Sequence, residues 1–146
     1  MIAELVTIYE RDLNRLKNEI ESFQADQNLW IIKGQVKNTA GNLCLHLVGN
    51  LKTYIGKNLG NFDYTRNREA EFSLKDVPKE QLLQQIEETK QVVISALKKL
   101  EKKQLEETYA EEVLGYKMTT GFFLIHLAAH LSYHLGQINY LRRIIE

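Results

Sequence analysis

Apolar residues recur along this chain at spacings of three and four, the period of a helix buried on one side. Four segments carry the pattern. In the first, near 2–24, Ile2, Val6, Tyr9, Leu13, Leu16, Ile20 and Phe23 form a near-heptad stripe, which suits helices packed almost parallel or antiparallel to one another. The second, near 39–59, has Asn38 or Thr39 as N-cap and Gly60 as its end, with Leu43, His46, Leu47, Asn50, Leu51 and Tyr54 on one side. The third, near 77–102, follows Asp76-Val77-Pro78, a cap with proline in the first turn, and its stripe is Leu82, Ile86, Val93, Leu97 and Leu100. The fourth, near 120–145, begins after Thr119 or Thr120 and runs through Phe122, Phe123, His126, His130, Tyr133, His134, Gln137 and Leu141.

Three connections separate these segments. Residues 25–37 include Leu29, Trp30, Ile31 and Ile32, too apolar for full exposure, so this stretch is expected to fold over one end of the helices. Residues 61–76 carry Phe62, Tyr64, Arg66, Arg68, Glu69 and Phe72, and residues 104–118 are acidic before a turn at Gly115. Valine and isoleucine sit at helical spacing and no Asn-Gly or Asp-Gly hairpin signal occurs, so strands are not expected. One proline and eight glycines are sparse punctuation, suited to long helices. The reading is an all-α fold with one domain over 1–146.

Charge narrows the partners. Lys+Arg and Asp+Glu both number 19, which removes the cationic surplus that nucleic acid binding needs. The basic cluster Lys98, Lys99, Lys102 and Lys103 is interleaved with Glu101, Glu106 and Glu107 and reads as a solvated helix end. A single cysteine, Cys44, excludes an intramolecular disulfide and reads as a small core residue. The N-terminus mixes acids and bases unlike a signal peptide, and no apolar run approaches the ~20 residues that cross a bilayer. The expectation is a cytoplasmic protein with neither nucleic acid nor membrane as partner.

The histidines bring chemistry into this scaffold. His126, His130 and His134 are spaced four apart, so their side chains lie one above another on a helix face. Two imidazoles at that spacing are a common metal-binding arrangement. His46 shares its face with Leu43, Leu47 and Asn50 and should point inward; if the second and fourth helices are neighbours, it can join a pair from the fourth. The alternative is a set of hydrogen-bonded core histidines. Three imidazoles suit zinc, nickel, iron or copper and leave a further coordination position open.

Two stretches resemble a known family. Gly41-Asn42-Leu43-Cys44-Leu45-His46-Leu47-Val48-Gly49-Asn50-Leu51 resembles the second-helix motif of the DinB/YfiT-like superfamily, and His130-Leu131-Ser132-Tyr133-His134-Leu135-Gly136-Gln137-Ile138 resembles its C-terminal motif. Arg66-Asn67-Arg68-Glu69-Ala70-Glu71-Phe72 is similar to a loop signature of one branch. The resemblance implies an up-down-down-up four-helix bundle, a metal held by His46, His130 and His134, and a homodimer. Zinc is the first expectation for the metal and nickel the second.

His126 falls outside that triad; it either supports the site or faces substrate, or is a plain core or half-exposed histidine, the reading preferred. Asn50 and Gln137 lie about a turn from a ligand, so either can orient a ring or touch substrate, and Gln137 can equally cap a neighbouring backbone group. Arg66, Arg68 and Glu69 are expected to lock their loop through ion pairs, with anion binding the second reading, and Tyr54, Tyr133 and Trp30 to pack. The stripe of the first helix and the segment 29–32 offer apolar surface for a homodimer.

The resemblance further implies transferases and isomerases that use a low-molecular-weight thiol with a small-molecule electrophile. Hydrolysis by metal-bound hydroxide is the next reading. A non-catalytic metal or small-ligand binding protein, or a dimeric interaction module, is the third, because no general base stands beside the triad in sequence and no catalytic residue is assigned. A closed metal shell would favour the third, and an open position facing a pocket the first two.

Overall fold

A computed structural model describes all 146 residues. Helix α1 spans Ile2–Ser22, α2 Ala40–Leu51, α3 Asn58–Gly60, α4 Arg68–Ser73, α5 Lys79–Lys98, α6 Lys102–Glu106 and α7 Thr120–Ile145. The chain is all-helical; its only β pairing is an isolated antiparallel bridge between Thr108 and Thr119. No helix is long and apolar enough to cross a membrane.

The four expected segments appear as α1, the run from α2 to α3, α5 and α7. Thr39, not Asn38, caps α2 by accepting from the Asn42 N–H, and Thr119, not Thr120, caps α7 by accepting from Phe122. Between α2 and α3 the backbone widens into a π-helical turn over Lys52–Lys57. There Gly56 lies against Val92, whose Cγ1 would stand 2.6 Å from an added Cβ.

Two terminators differ from expectation. Gly60 is the last residue of α3 and packs against Ala96, while Asn61 takes the left-handed conformation that ends the helix. Before α5, Pro78 is itself the N-cap and Asp76 has φ 58°, so no side chain caps that helix. A short 3₁₀ turn at Asp26–Trp30, α4 and α6 lie within or beside the expected connections. None is long enough for its period to register.

Side-chain contacts fix how the long helices run. Lys17 pairs with Glu87 and Lys90 with Asn14, so α1 and α5 are antiparallel. Lys52 pairs with Glu88 and Gly60 meets Ala96, so α2 and α5 run in the same sense. His46 faces His130 and Tyr54 faces Phe123, which makes α2 and α7 antiparallel. Tyr9 of α1 donates to the Leu124 carbonyl of α7 at 2.6 Å, and Gln24 donates to Glu146, so these two run together.

The stripe of α1 is absorbed by this packing: Leu5, Tyr9, Leu13, Leu16, Ile20 and Phe23 are all buried. Ile2 and Val6, nearer the N-terminus, are half-buried against the same core. Residues 29–32 divide. Leu29 is buried and the Trp30 ring covers Gly41, but Ile31 and Ile32 are exposed. Every residue of α2 is buried, including His46 and Asn50, so functional polar groups there are enclosed by protein.

Candidate metal centre

Because α2 and α7 are antiparallel neighbours, one histidine from the first can meet an i, i+4 pair from the second. His46, His130 and His134 stand together, each with a possible ligating atom within 4.8 Å of the others. The His46 and His130 Nε2 atoms are 3.2 Å apart. Two nitrogens each about 2.0–2.1 Å from one tetrahedral ion would be separated by roughly 3.3 Å. The donor set suits a divalent cation and the His46–His130 spacing matches one, with a ring nitrogen of His134 within 4.8 Å of both.

The outer ring nitrogens decide which tautomer each imidazole adopts. His46 Nδ1 lies 3.1 Å from Glu71 Oε1 and donates to it, which leaves its Nε2 lone pair facing the other two rings. Glu71 is buried and held by a guanidinium fork: Arg66 Nε donates to Oε2 at 2.8 Å and Nη2 to Oε1 at 2.9 Å. Burial alone would raise the Glu71 pKa, but the hydrogen bonds from His46 and Arg66 and the charge of Arg66 outweigh it, and the carboxyl stays below its ordinary range. On the α7 side, His134 Nδ1 donates to Gln137 Oε1 at 2.7 Å. Gln137 thus orients a ring, one of the roles its spacing suggests.

His130 lacks such a partner; its Nδ1 is buried without a hydrogen bond. Burial, followed by the nearby His134, His46, His126 and Arg66 charges, drives its pKa down to about 3. Burial is also the largest influence lowering His134, opposed by its bond to Gln137. Both rings are therefore neutral at pH 7, the form that coordinates metal.

His46 and His130 line a cavity of about 200 Å³ whose polar wall also includes Asn50, Tyr54, Arg66, Arg68 and His126. Asn50 is buried, makes no side-chain hydrogen bond, and leaves its Oδ1 without a partner. His126 is not part of the converging set. Its ring stacks on Phe123 at 8° and lies 6.4 Å from the His130 ring. Cys44 is fully buried, with burial raising its thiol pKa to about 12, consistent with a packing role.

The loop signature behaves differently from expectation. Arg66 pairs with Glu71, Arg68 lies over the Phe72 ring at 5.4 Å, and Glu69 joins no ion pair. Glu71 faces inward because Asn42 of α2 donates to the Glu71 and Leu74 carbonyls, at 3.0 and 2.8 Å, and fastens α4 across α2. Sequence reasoning missed Glu71, although an acid beside a basic pair in a short helical turn was a usable signal. Tyr133 is 65% exposed and meets only the edge of the neighbouring His134 ring, whereas Tyr54 packs against Phe123 and lies under Arg66.

The sequence matches the family described as "Protein of unknown function (DUF1572)" over residues 3–146. Its fold is similar to the crystal structure of a DinB-like protein from Bacillus cereus ATCC 10987. The TM-score is 0.67 at 20% identity, over 90% of this chain and 84% of the other. No curated protein matched the chain.

Proposed function

Starting from the chain's place in the DUF1572 family, to which it belongs, we propose that it is a metal-dependent enzyme acting on a small molecule. His46, His130 and His134 are the ligands in this reading, with zinc the first choice of ion and nickel the second. The observation that carries it is the convergence of three ring nitrogens beside a cavity, with the outer nitrogens of His46 and His134 fastened by Glu71 and Gln137.

A bound divalent cation would supply Lewis acidity, lowering the pKa of a thiol or water. The chain's own residues supply the rest. Glu71 and Gln137 fix two rings so that little reorganisation accompanies binding. Phe123, Leu127, Val113 and Leu114 form apolar walls that limit water beside the histidines. Every titratable group on the wall except Tyr54 is basic; Arg66 is engaged by Glu71, but Arg68 has no carboxylate partner. That balance favours an anionic substrate, with the unpaired Asn50 amide available to orient it. His126, on the wall and outside the triad, is the imidazole at hand to receive a proton.

Thiol-dependent transfer is the reaction proposed first, on the resemblance of the two histidine motifs to the DinB/YfiT-like superfamily. The thiol gives up its proton, its sulfur forms a bond to an electrophilic carbon, and the leaving group departs with the bonding pair. Hydrolysis is the second reading. One observation favours it: a cavity near 200 Å³ is small beside the ~300–1,000 Å³ typical of ligand pockets and admits water more readily than two organic partners. The test is to assay zinc-loaded protein with a low-molecular-weight thiol plus a chlorinated arene, and separately with small anionic esters, beside His130→Ala. The proposal expects one substrate set to turn over in the parent and at least tenfold more slowly in the variant. Equal rates for both proteins with both sets would overturn it.

A further inference from the structure

Two of the three converging rings are held from outside, His46 by Glu71 and His134 by Gln137. His130 is the exception, with its Nδ1 buried and unbonded. Only two other buried side-chain nitrogens or oxygens in the chain lack a partner, Asn50 Oδ1 and Thr53 Oγ1. Asn50 borders the same cavity as His130, and Thr53 does not. Asn50 also stands one turn beyond His46 on α2, between the His46–His130 and Tyr54–Phe123 contacts that join α2 to α7. Buried polar groups are normally paired, and here two unpaired ones of complementary chemistry share one cavity wall.

We propose that Asn50 is the positioning partner of His130 Nδ1, and that its amide turns over when a metal ion binds. The proposal rests on the ligand assignment made above.

The protons on the three rings give the reason. His46 and His134 each donate outward through Nδ1, so both present a bare Nε2 to the centre. His130 Nε2 lies 3.2 Å from His46 Nε2, a hydrogen-bond distance. Two lone pairs do not attract, so in the metal-free chain His130 carries its single proton on Nε2 and donates it to His46. Its Nδ1 is then an acceptor, and the group that suits it is the Asn50 NH2. A cation at the centre takes the Nε2 lone pair of His130. The Nε2–H bond breaks, that proton passes to solvent, and one returns to form an Nδ1–H bond, so the ring stays neutral. Nδ1 is now a donor, and the group that suits it is Asn50 Oδ1.

A side-chain amide carries a donor and an acceptor at its tip, and the torsion that exchanges them is soft. Half a turn of Asn50 therefore serves the second state as well as the first. A carboxylate, which only accepts, serves one of them, and an apolar side chain serves neither. Glu71 and Gln137 face nitrogens that keep their protons throughout, so acceptors that never turn suffice there. With Oδ1 on the ring, the Asn50 NH2 is left for substrate.

The experiment is nitrogen-15 NMR of the full chain with labelled histidine, at about pH 8, above the ordinary histidine range. The metal-free parent should hold the His130 proton on Nε2. Metal-free Asn50→Asp should hold it on Nδ1, facing the carboxylate. Zinc affinity supplies the second readout. Asn50→Leu should bind zinc about tenfold more weakly than the parent, and Asn50→Asp at least as tightly. Asn50→Asp, nearly the same shape as the parent residue, keeps the test available if the leucine variant does not fold. The same His130 tautomer in metal-free parent and Asn50→Asp, or parental zinc affinity in a folded Asn50→Leu, would overturn the proposal. A parent that binds no zinc would refute the ligand assignment separately, because the metal-free tautomers decide the pairing of Asn50 with His130 without it.

Discussion

Gly49 leaves empty the space that the Glu71 carboxylate occupies: a Cβ at position 49 would collide with Glu71 Oε2. The two residues are 22 apart in sequence, on α2 and α4, and the glycine is what lets the acid reach the outer nitrogen of His46. Gly49→Ala would force Glu71 and its Arg66 fork outward and free the His46 ring to turn. The expected outcome is zinc affinity lowered about 10–100-fold, the scale for losing a carboxylate behind a ligating histidine. Competition against a chromophoric chelator measures it, and an unchanged affinity would remove Glu71 from the account.

Asn42 acts one step further back. Its amide donates to the two carbonyls that hold α4 against α2. Asn42→Ala leaves those acceptors without that donor and should cost about 1–3 kcal/mol. The melting temperature should fall by several degrees, with metal affinity falling alongside it because α4 carries Glu71. A melting temperature within a degree of the parent would show that α4 is fastened by other contacts.

The four long helices were legible in the sequence because their apolar residues keep one period for many turns. So were the threonine caps and the shared face of the α7 histidines. What escaped was local and short, or distant. α4 and α6 have too few residues for a period to show, and the Glu71–His46 contact joins an acid in a connecting segment to a ring on α2. The α7 surface failed to register for another reason. With apolar residues on every side, the pattern does not distinguish the inner from the outer face, and Tyr133 was expected to pack within the chain.

Acid should destabilise the metal-free protein in two stages. His130 is neutral in the folded chain down to a pKa of about 3, whereas the unfolded chain takes up its proton near 6.5. The unfolded state then binds more protons, so stability falls as pH drops below about 6.5. Glu71, held below its ordinary 4.5, adds stability that is present above that value and lost as pH falls through its folded value. Thermal melts of chelator-treated protein from pH 8 to 4 should show both declines. His130→Phe should shrink the first, leaving the part that comes from His134, whose pKa burial also lowers, and leave the second unchanged.

Metal content of protein purified without a polyhistidine tag or nickel resin tests the central claim most directly. Elemental analysis after dialysis against micromolar zinc should find about one ion per chain in the parent and in His126→Ala, and almost none in His134→Ala or His46→Ala. A parent that retains no zinc or nickel, or variants of His46 and His134 that retain as much as the parent, would contradict the assignment of these histidines as a metal centre.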